Sequence, residues 1–208
     1  MMKRTDSAGL TRNSLVDPKR TALLIVDVQN AEVSPYIQEN HPGYYRQVTE
    51  QVVPQIRRLI DVARAAGSEV IYTVIESLTS DGRDRSLDHK LSGLFVPKGS
   101  WEGKVVEAIA PEEDDILLPK TSSGVFNSTN LDYILRNLGV EAVVVAGVLT
   151  DQCIDMAVRD GADKGYFMIC VSDACASYTS TRHEQALSAF GGYCRVSTTE
   201  DIIAELGR

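Results

Sequence analysis

Two runs of five apolar residues, Ala22-Leu23-Leu24-Ile25-Val26 and Ala142-Val143-Val144-Val145-Ala146, carry no polar residue at alternate positions. A strand with one face in water would alternate, so each run reads as a strand buried on both faces, the situation of a parallel sheet covered by helices on either side. Further strands are read at 69–75, 115–118, 167–172 and 193–197, with the first two running over 21–27 and 142–147. Helical periodicity fills the intervals. Val48, Val52, Ile56, Leu59, Ile60 and Ala63 make an apolar stripe over about 44–66, closed by Gly67, and a second helix over 129–138 ends at Gly139. A third helix follows Thr150, with Thr150 or Asp151 as its N-cap, and two more span 181–190 and 199–206. Strands alternating with helices predict a three-layer α/β/α domain on a mostly parallel six-stranded sheet, Rossmann-like in plan.

At 208 residues the chain fits one domain, long enough to bury about 70% of its unfolded surface. We place the domain at 18–208 and an N-terminal extension at 1–17. The net charge of −8 comes from interleaved acids and bases, which argues against a nucleic-acid or anionic-membrane surface. The basic start, Met1 to Gly9, has no apolar core of a signal peptide, and nowhere do ~18 apolar residues run together, so a cytoplasmic protein is expected. Cys153, Cys170, Cys175 and Cys194 form no C-x-x-C pair and no zinc-like spacing, and are read as free thiols, the last three structural.

Cys153 stands apart by position. It lies in the first turn of the helix that leaves the 142–147 strand, where unpaired backbone N–H groups and the helix dipole favour thiolate over thiol. A buried inert thiol is the plain alternative. Asp27 ends the first apolar strand and Lys120 follows Ile116-Leu117-Leu118-Pro119, so both project from the carboxyl edge of the sheet, where open parallel sheets gather ligands. Singly, Asp27 could cap a turn and Lys120 could be a solvated lysine; three strands ending in Asp, Lys and Cys point together to a thiol-based site.

Here the chain resembles the isochorismatase-like cysteine hydrolases, which include nicotinamidases, N-carbamoylsarcosine amidases, ureidoacrylate amidohydrolases and biuret hydrolases. The resemblance runs from about Pro18 to the C-terminus. It is carried by Ala22 to Asn30, by Leu118-Pro119-Lys120, by Phe126-Asn127-Ser128-Thr129-Asn130-Leu131 with Leu135 to Val140, and by Val145 to Cys153 followed by Arg159-Asp160. The resemblance implies a catalytic triad of Asp27, Lys120 and Cys153, a cis peptide at Val148–Leu149, an oxyanion hole from the backbone N–H groups of Leu149 and Cys153, no cofactor, and assembly as a homo-oligomer, dimer or tetramer.

The implied chemistry is hydrolysis of a C–N bond in a small amide through a thioester. Candidate substrate-binding residues are Gln29, Asn30, Glu76, Phe126, Asn127 and Tyr178; Phe126 and Tyr178 serve equally as core, and Asn127 as a turn or helix cap. No bound metal is expected, because the Asp-x-His motif of nicotinamidases is missing after the second strand, where Glu76 to Gly82 holds no histidine. His41, His89 and His183 are isolated in sequence and are read as solvated or capping. The nucleophilic cysteine argues against vinyl-ether hydrolysis, and the Lys120 segment with Gly99-Ser100-Trp101 upstream is most similar to ureidoacrylate enzymes, although Gly124 stands where those relatives have serine. A carbamoyl or ureido amide is therefore favoured; a nicotinamidase-like carboxamide hydrolase and a non-catalytic paralogue serving as a binding or oligomer-forming module are the alternatives. The polar stretch 77–100, with Leu87, Leu91, Leu94 and Phe95, is read as a lid over the site or a subunit contact.

Overall fold

In the computed structural model, which describes residues 11–208, six strands form one sheet in the order β3-β2-β1-β4-β5-β6. They are β1 (Thr21–Val26), β2 (Glu69–Ile75), β3 (Ile116–Lys120), β4 (Ala142–Val148), β5 (Phe167–Ala176) and β6 (Arg195–Ser197). Every pairing is parallel, so the expectation of a mostly parallel sheet becomes an all-parallel one. The helices are α1 (Pro35–Asn40), α2 (Pro42–Gln47), α3 (Val53–Ala66), α4 (Leu87–Leu91), α5 (Val125–Ser128), α6 (Leu131–Asn137), α7 (Asp155–Asp163), α8 (Ser180–Phe190) and α9 (Thr199–Leu206). Of the proposed extension 1–17, residues 1–10 lie outside the described part; Val16 N–H donates to Glu205 Oε1 at 2.8 Å and ties the remainder to α9.

Side-chain alternation along β1 shows why the run had to be wholly apolar. Leu23 and Ile25 enter one core with Val52, Ile56, Leu59, Ile60, Ile202 and Leu206, whereas Ala22, Leu24 and Val26 enter the other with Leu131, Leu135, Ala157, Val158 and Phe190. Helices α3 and α9 thus cover one face, and α6, α7 and α8 the other. Burying an aliphatic side chain contributes about 1.5–3 kcal/mol, so the central strands supply much of the stability.

The stripe predicted over 44–66 is buried as expected, but the helix is not continuous. A wider i→i+5 turn over Val48–Val52 separates α2 from α3, just before Pro54, which has no N–H to give to the turn behind it. Gly67 closes α3 in the left-handed region at φ 76°. The helix predicted over 129–138 is present as α6, starting two residues later than predicted, and a separate short helix, α5, precedes it. Strand β5 runs further than predicted because its register against β4 jumps from Val145–Cys170 to Gly147–Cys175. The jump brings Cys170 and Cys175 to the same face, their sulfurs 3.9 Å apart.

The carboxyl ends of β1 and β4 approach so closely that only glycine fits between them. Gly147 has φ 128°, and a Cβ there would meet the Val26 main chain, 2.8 Å from its nitrogen. We therefore expect Gly147→Ala to push β4 off β1 beside Asp27 and Leu149, lowering stability by about 2–4 kcal/mol in urea unfolding and reducing turnover more than Gly67→Ala, where nothing lies within 4 Å.

Candidate active site

Strand order decides what meets at the carboxyl edge. The chain reverses direction of winding between β1 and β4, and at that switch point the connections leaving the two strands run to opposite faces of the sheet and leave a crevice above the paired strand ends. Asp27, the first residue beyond β1, adopts a left-handed conformation with φ 55°, uncommon for a residue other than glycine. Its N–H donates to Thr73 O at 3.1 Å, and Thr73 Oγ1 in turn donates to Asp27 Oδ1 at 2.8 Å. Both bonds come from the neighbouring strand β2, so the carboxylate is aimed by the sheet itself.

Lys120 is the last residue of β3 and is wholly buried. Its Nζ lies 2.8 Å from Asp27 Oδ2, donates to Ser122 O at 2.9 Å and Ser123 O at 3.2 Å, and reaches Cys153 Sγ at 3.4 Å. Burial opposes its charge, but Asp27, and then Cys153, more than offset this and hold Lys120 above its usual value. The ammonium is therefore permanent. Cys153 sits in a wide turn over Thr150–Ile154 that leads into α7, and is 5% exposed. The peptide Val148–Leu149 just before it is cis.

The resting state of the sulfur corrects the sequence reading. Burial, and then the negative charge of Asp27, push the Cys153 thiol up to about 12, and Lys120 only partly opposes them. The helix-start argument favoured thiolate, but burial and the charge of Asp27 act against it. At neutral pH the site holds a thiol beside a base, ready to lose its proton rather than already without it. The predicted caps also differ: Thr150 Oγ1 is 2.8 Å from His183 Nδ1, and Asp151 pairs with Arg182 and accepts from Ser177, so neither caps α7.

Asp27 and Cys153 face a cavity of about 910 Å³ that also has Glu32, Tyr36, Ile75, His89, Leu149 and Tyr178 in its walls, with Lys120 buried beneath them. Of the proposed substrate-binding residues, Tyr178 lies on the wall, stacked on His41 at 4.5 Å and edge-on to Tyr44 at 4.9 Å. The other five are not part of the cavity walls. Gln29 is buried and bridges Ile75 and Glu102 O, and Asn30 donates to Trp101 O at 3.0 Å. Glu76 accepts from Gly99 N–H at 2.6 Å, Phe126 stacks on Tyr166, and Asn127 donates to Asp160 at 2.8 Å. These residues brace the loops around the crevice.

Two wall residues were not legible in the sequence. Glu32 accepts from Tyr44 Oη at 2.7 Å, and burial pushes its carboxyl up to about 7, with the charge of Asp27 adding to the rise. His89, expected in solvent, is instead 2% exposed, because α4 folds the 77–100 excursion inward against the cavity. Burial, then the charge on Lys120, hold its imidazole below the ordinary value and so neutral. Among the described residues no cluster of three or more His, Cys, Asp or Glu side chains is arranged to hold a metal ion, and no helix is long and apolar enough to cross a membrane.

The family model for the isochorismatase domain matches residues 21–201, which span all six strands and the triad. The chain belongs to the isochorismatase-like hydrolase family. Among solved structures, this family member is similar to a cysteine hydrolase from Pseudomonas syringae pv. phaseolicola, at 27% identity over 94% of this chain and 96% of that one, with a TM-score of 0.83. It is also similar to an isochorismatase family protein from Desulfovibrio vulgaris (26% identity, 91% and 99% covered, TM-score 0.75). A third is the N-carbamoylsarcosine amidase from Thermoplasma acidophilum (25% identity, 87% and 97% covered, TM-score 0.71).

Two titrations follow. The ultraviolet absorbance of the Cys153 thiolate should be absent at neutral pH and rise only in strongly alkaline solution; Asp27→Asn, which removes a raising charge and leaves Lys120, should move that rise to lower pH. For Glu32, a folded value of about 7 above the ordinary 4.5 means that the native state holds an extra proton between them. Stability from this group is full below pH 4.5 and is lost as pH rises through about 7. Glu32→Gln should therefore gain stability relative to the parent between pH 5 and pH 8 in urea unfolding.

Proposed function

We propose that this hydrolase is a cysteine-dependent amidohydrolase that cleaves the C–N bond of a small carbamoyl or ureido-type amide, releasing ammonia or an amine. The observation that carries the reading is the buried chain of contacts Asp27–Lys120–Cys153, at 2.8 Å and 3.4 Å, opening on a cavity able to hold a small ligand. Asp27 takes the thiol proton as Sγ attacks the amide carbonyl, so the proton leaves sulfur while the new C–S bond forms. The carbonyl oxygen becomes an oxyanion, met by the backbone N–H groups of Leu149 and Cys153. Asp27 then returns the proton to the departing nitrogen, the C–N bond breaks, and a thioester remains.

Water completes the cycle: Asp27 removes a proton as the oxygen attacks the thioester, and the C–S bond breaks to give the acid and the thiol. Lys120 stays protonated throughout. Its charge keeps the Asp27 carboxylate and the developing thiolate tolerable in a site that water barely reaches. Because Lys120 also holds both Ser122 and Ser123 carbonyls, its ammonium cannot drift towards solvent as the charge on Asp27 comes and goes. A homo-oligomer is proposed as the working form, with the exposed Leu87 and Leu91 of α4 at the contact.

The test is ammonia release from a panel of biuret, N-carbamoyl amino acids and their amides, ureidoacrylate analogues, maleamate and nicotinamide. We expect Cys153→Ala and Asp27→Asn each to lower kcat/KM by at least ~10³-fold on the best substrate without loss of fold. Wild-type turnover by Cys153→Ala would remove the nucleophile from the mechanism. A best substrate among pyridine carboxamides would remove the carbamoyl class.

A further inference from the structure

One acid of the cavity wall takes no part in the mechanism above. Glu32 sits on the short turn Asn30–Val33, whose backbone is fixed by Asn30 N–H donating to Lys104 O at 2.8 Å and Ala31 N–H to Glu102 O at 3.1 Å. Its side chain borders the same cavity as Asp27, Leu149, Cys153 and Tyr178. The Tyr44 phenol, itself buried, donates to Glu32 Oε2 at 2.7 Å. Oε1 takes no hydrogen bond from any described residue, and it is not one of the enclosed unpaired oxygens either. The carboxyl is thus held by one oxygen and open at the other.

Among the described residues no cation is paired with Glu32, and Lys120, whose charge reaches it, is committed to Asp27. The other ionisable groups around it are Asp27 after β1, Tyr44 on α2, and Tyr178 after β5 with His41 stacked on it. Tyr36 on α1, and Glu102 and Lys104 on the loop braced against the turn, have exposed side chains. A carboxylate here would leave Oε1 without a donor, beside the charge of Asp27. A neutral acid divides its hydrogen bonds without remainder: Oε2, as the carbonyl oxygen, accepts from Tyr44, and Oε1–H is left as a donor at the cavity. Burial, the largest influence on Glu32, favours that form and raises the carboxyl to about 7.

We propose that Glu32 is a specificity-determining residue whose Oε1–H donates to a carbonyl oxygen on the part of the substrate that is not cleaved. The substrate is then an amide carrying a second carbonyl, with one carbonyl placed at Cys153 and the other at Glu32. Attack on the first carbonyl rests on the amidohydrolase reading above, whereas the donor rests on Tyr44, Oε1 and the cavity wall. The donor is lost when Glu32 gives up its proton. Affinity for such a ligand is therefore full in mildly acid solution and falls as pH rises through about 7.

Binding and turnover are read separately. N-carbamoylglycinamide carries a second carbonyl and propylurea does not, and neither titrates near neutrality. Calorimetry on the full chain bearing Cys153→Ala should give a Kd for N-carbamoylglycinamide at least ~10-fold weaker at about pH 8.5 than at about pH 6, with no such change for propylurea. Adding Glu32→Gln, whose amide keeps an acceptor for Tyr44 and a donor at every pH, should remove that dependence. Glu32→Ala should bind as weakly in acid as the Glu32 chain does in alkali. With Cys153 intact, the difference between Glu32 and Glu32→Gln at the higher pH should lie in KM rather than kcat. A Kd that ignores pH or tightens as pH rises, Glu32→Gln binding as weakly as Glu32→Ala, or no binding of N-carbamoylglycinamide in acid overturns the proposal, even where amides are hydrolysed. The expected pH-dependent affinity in a chain that hydrolyses no amide upholds the donor and removes the amidohydrolase reading instead.

Discussion

The buried contact between Asp27 and Lys120 is the interaction on which the rest of the site depends. Two opposite charges removed from water gain little net stability, since the cost of dehydrating them is comparable with their attraction. Removing one partner is another matter, because the other is left charged and unpaired in a closed space. The pair therefore constrains the fold more than it stabilises it: β1, β2 and β3 must keep their register at the carboxyl edge, or the two charges separate. Thr73, reaching Asp27 from β2, shows the same requirement from the strand between.

The same pair sets the chemistry of the sulfur. Asp27 and Lys120 act on Cys153 with opposite sign, and burial is added to the side of the carboxylate. In the mechanism proposed above, this thiol reacts when a carbonyl arrives to accept the electron pair while Asp27 accepts the proton.

Most of the architecture was legible in the sequence because burial on both faces leaves a plain mark: Ala22–Val26 and Ala142–Ala146 have no polar residue to mislead. The meeting of Asp27, Lys120 and Cys153 was legible for a related reason, since each stands at or shortly past the carboxyl end of a strand and its place on the sheet edge is then set by topology. What escaped depends on contacts between segments far apart in sequence. The wide turn at Val48–Val52 hides inside an unbroken apolar stripe. Glu32 gains its raised carboxyl from burial, against the opposing hydrogen bond from Tyr44, and His89 its burial from the inward fold of a polar excursion whose composition suggested solvent. Gln29 and Asn30 were chosen for adjacency to Asp27, yet a chain leaving a strand through a left-handed residue turns away at once, and their amides fasten the loop near Trp101 instead.

The order of strands also fixes the length of a side chain. Lys120 stands on β3 and Asp27 follows β1, with β2 between them, so the two backbones are separated by two inter-strand spacings, roughly 9–10 Å. An aspartate covers a short part of that gap, and the rest must be spanned by a straight, unbranched stem with a compact charge at its tip. Lysine has that form, whereas histidine is too short and the broad guanidinium of arginine would not fit among the Ser122 and Ser123 carbonyls and the Cys153 sulfur. The pitch of the sheet, a property of every backbone hydrogen bond in it, thereby acts as a gauge that selects one amino acid at one position.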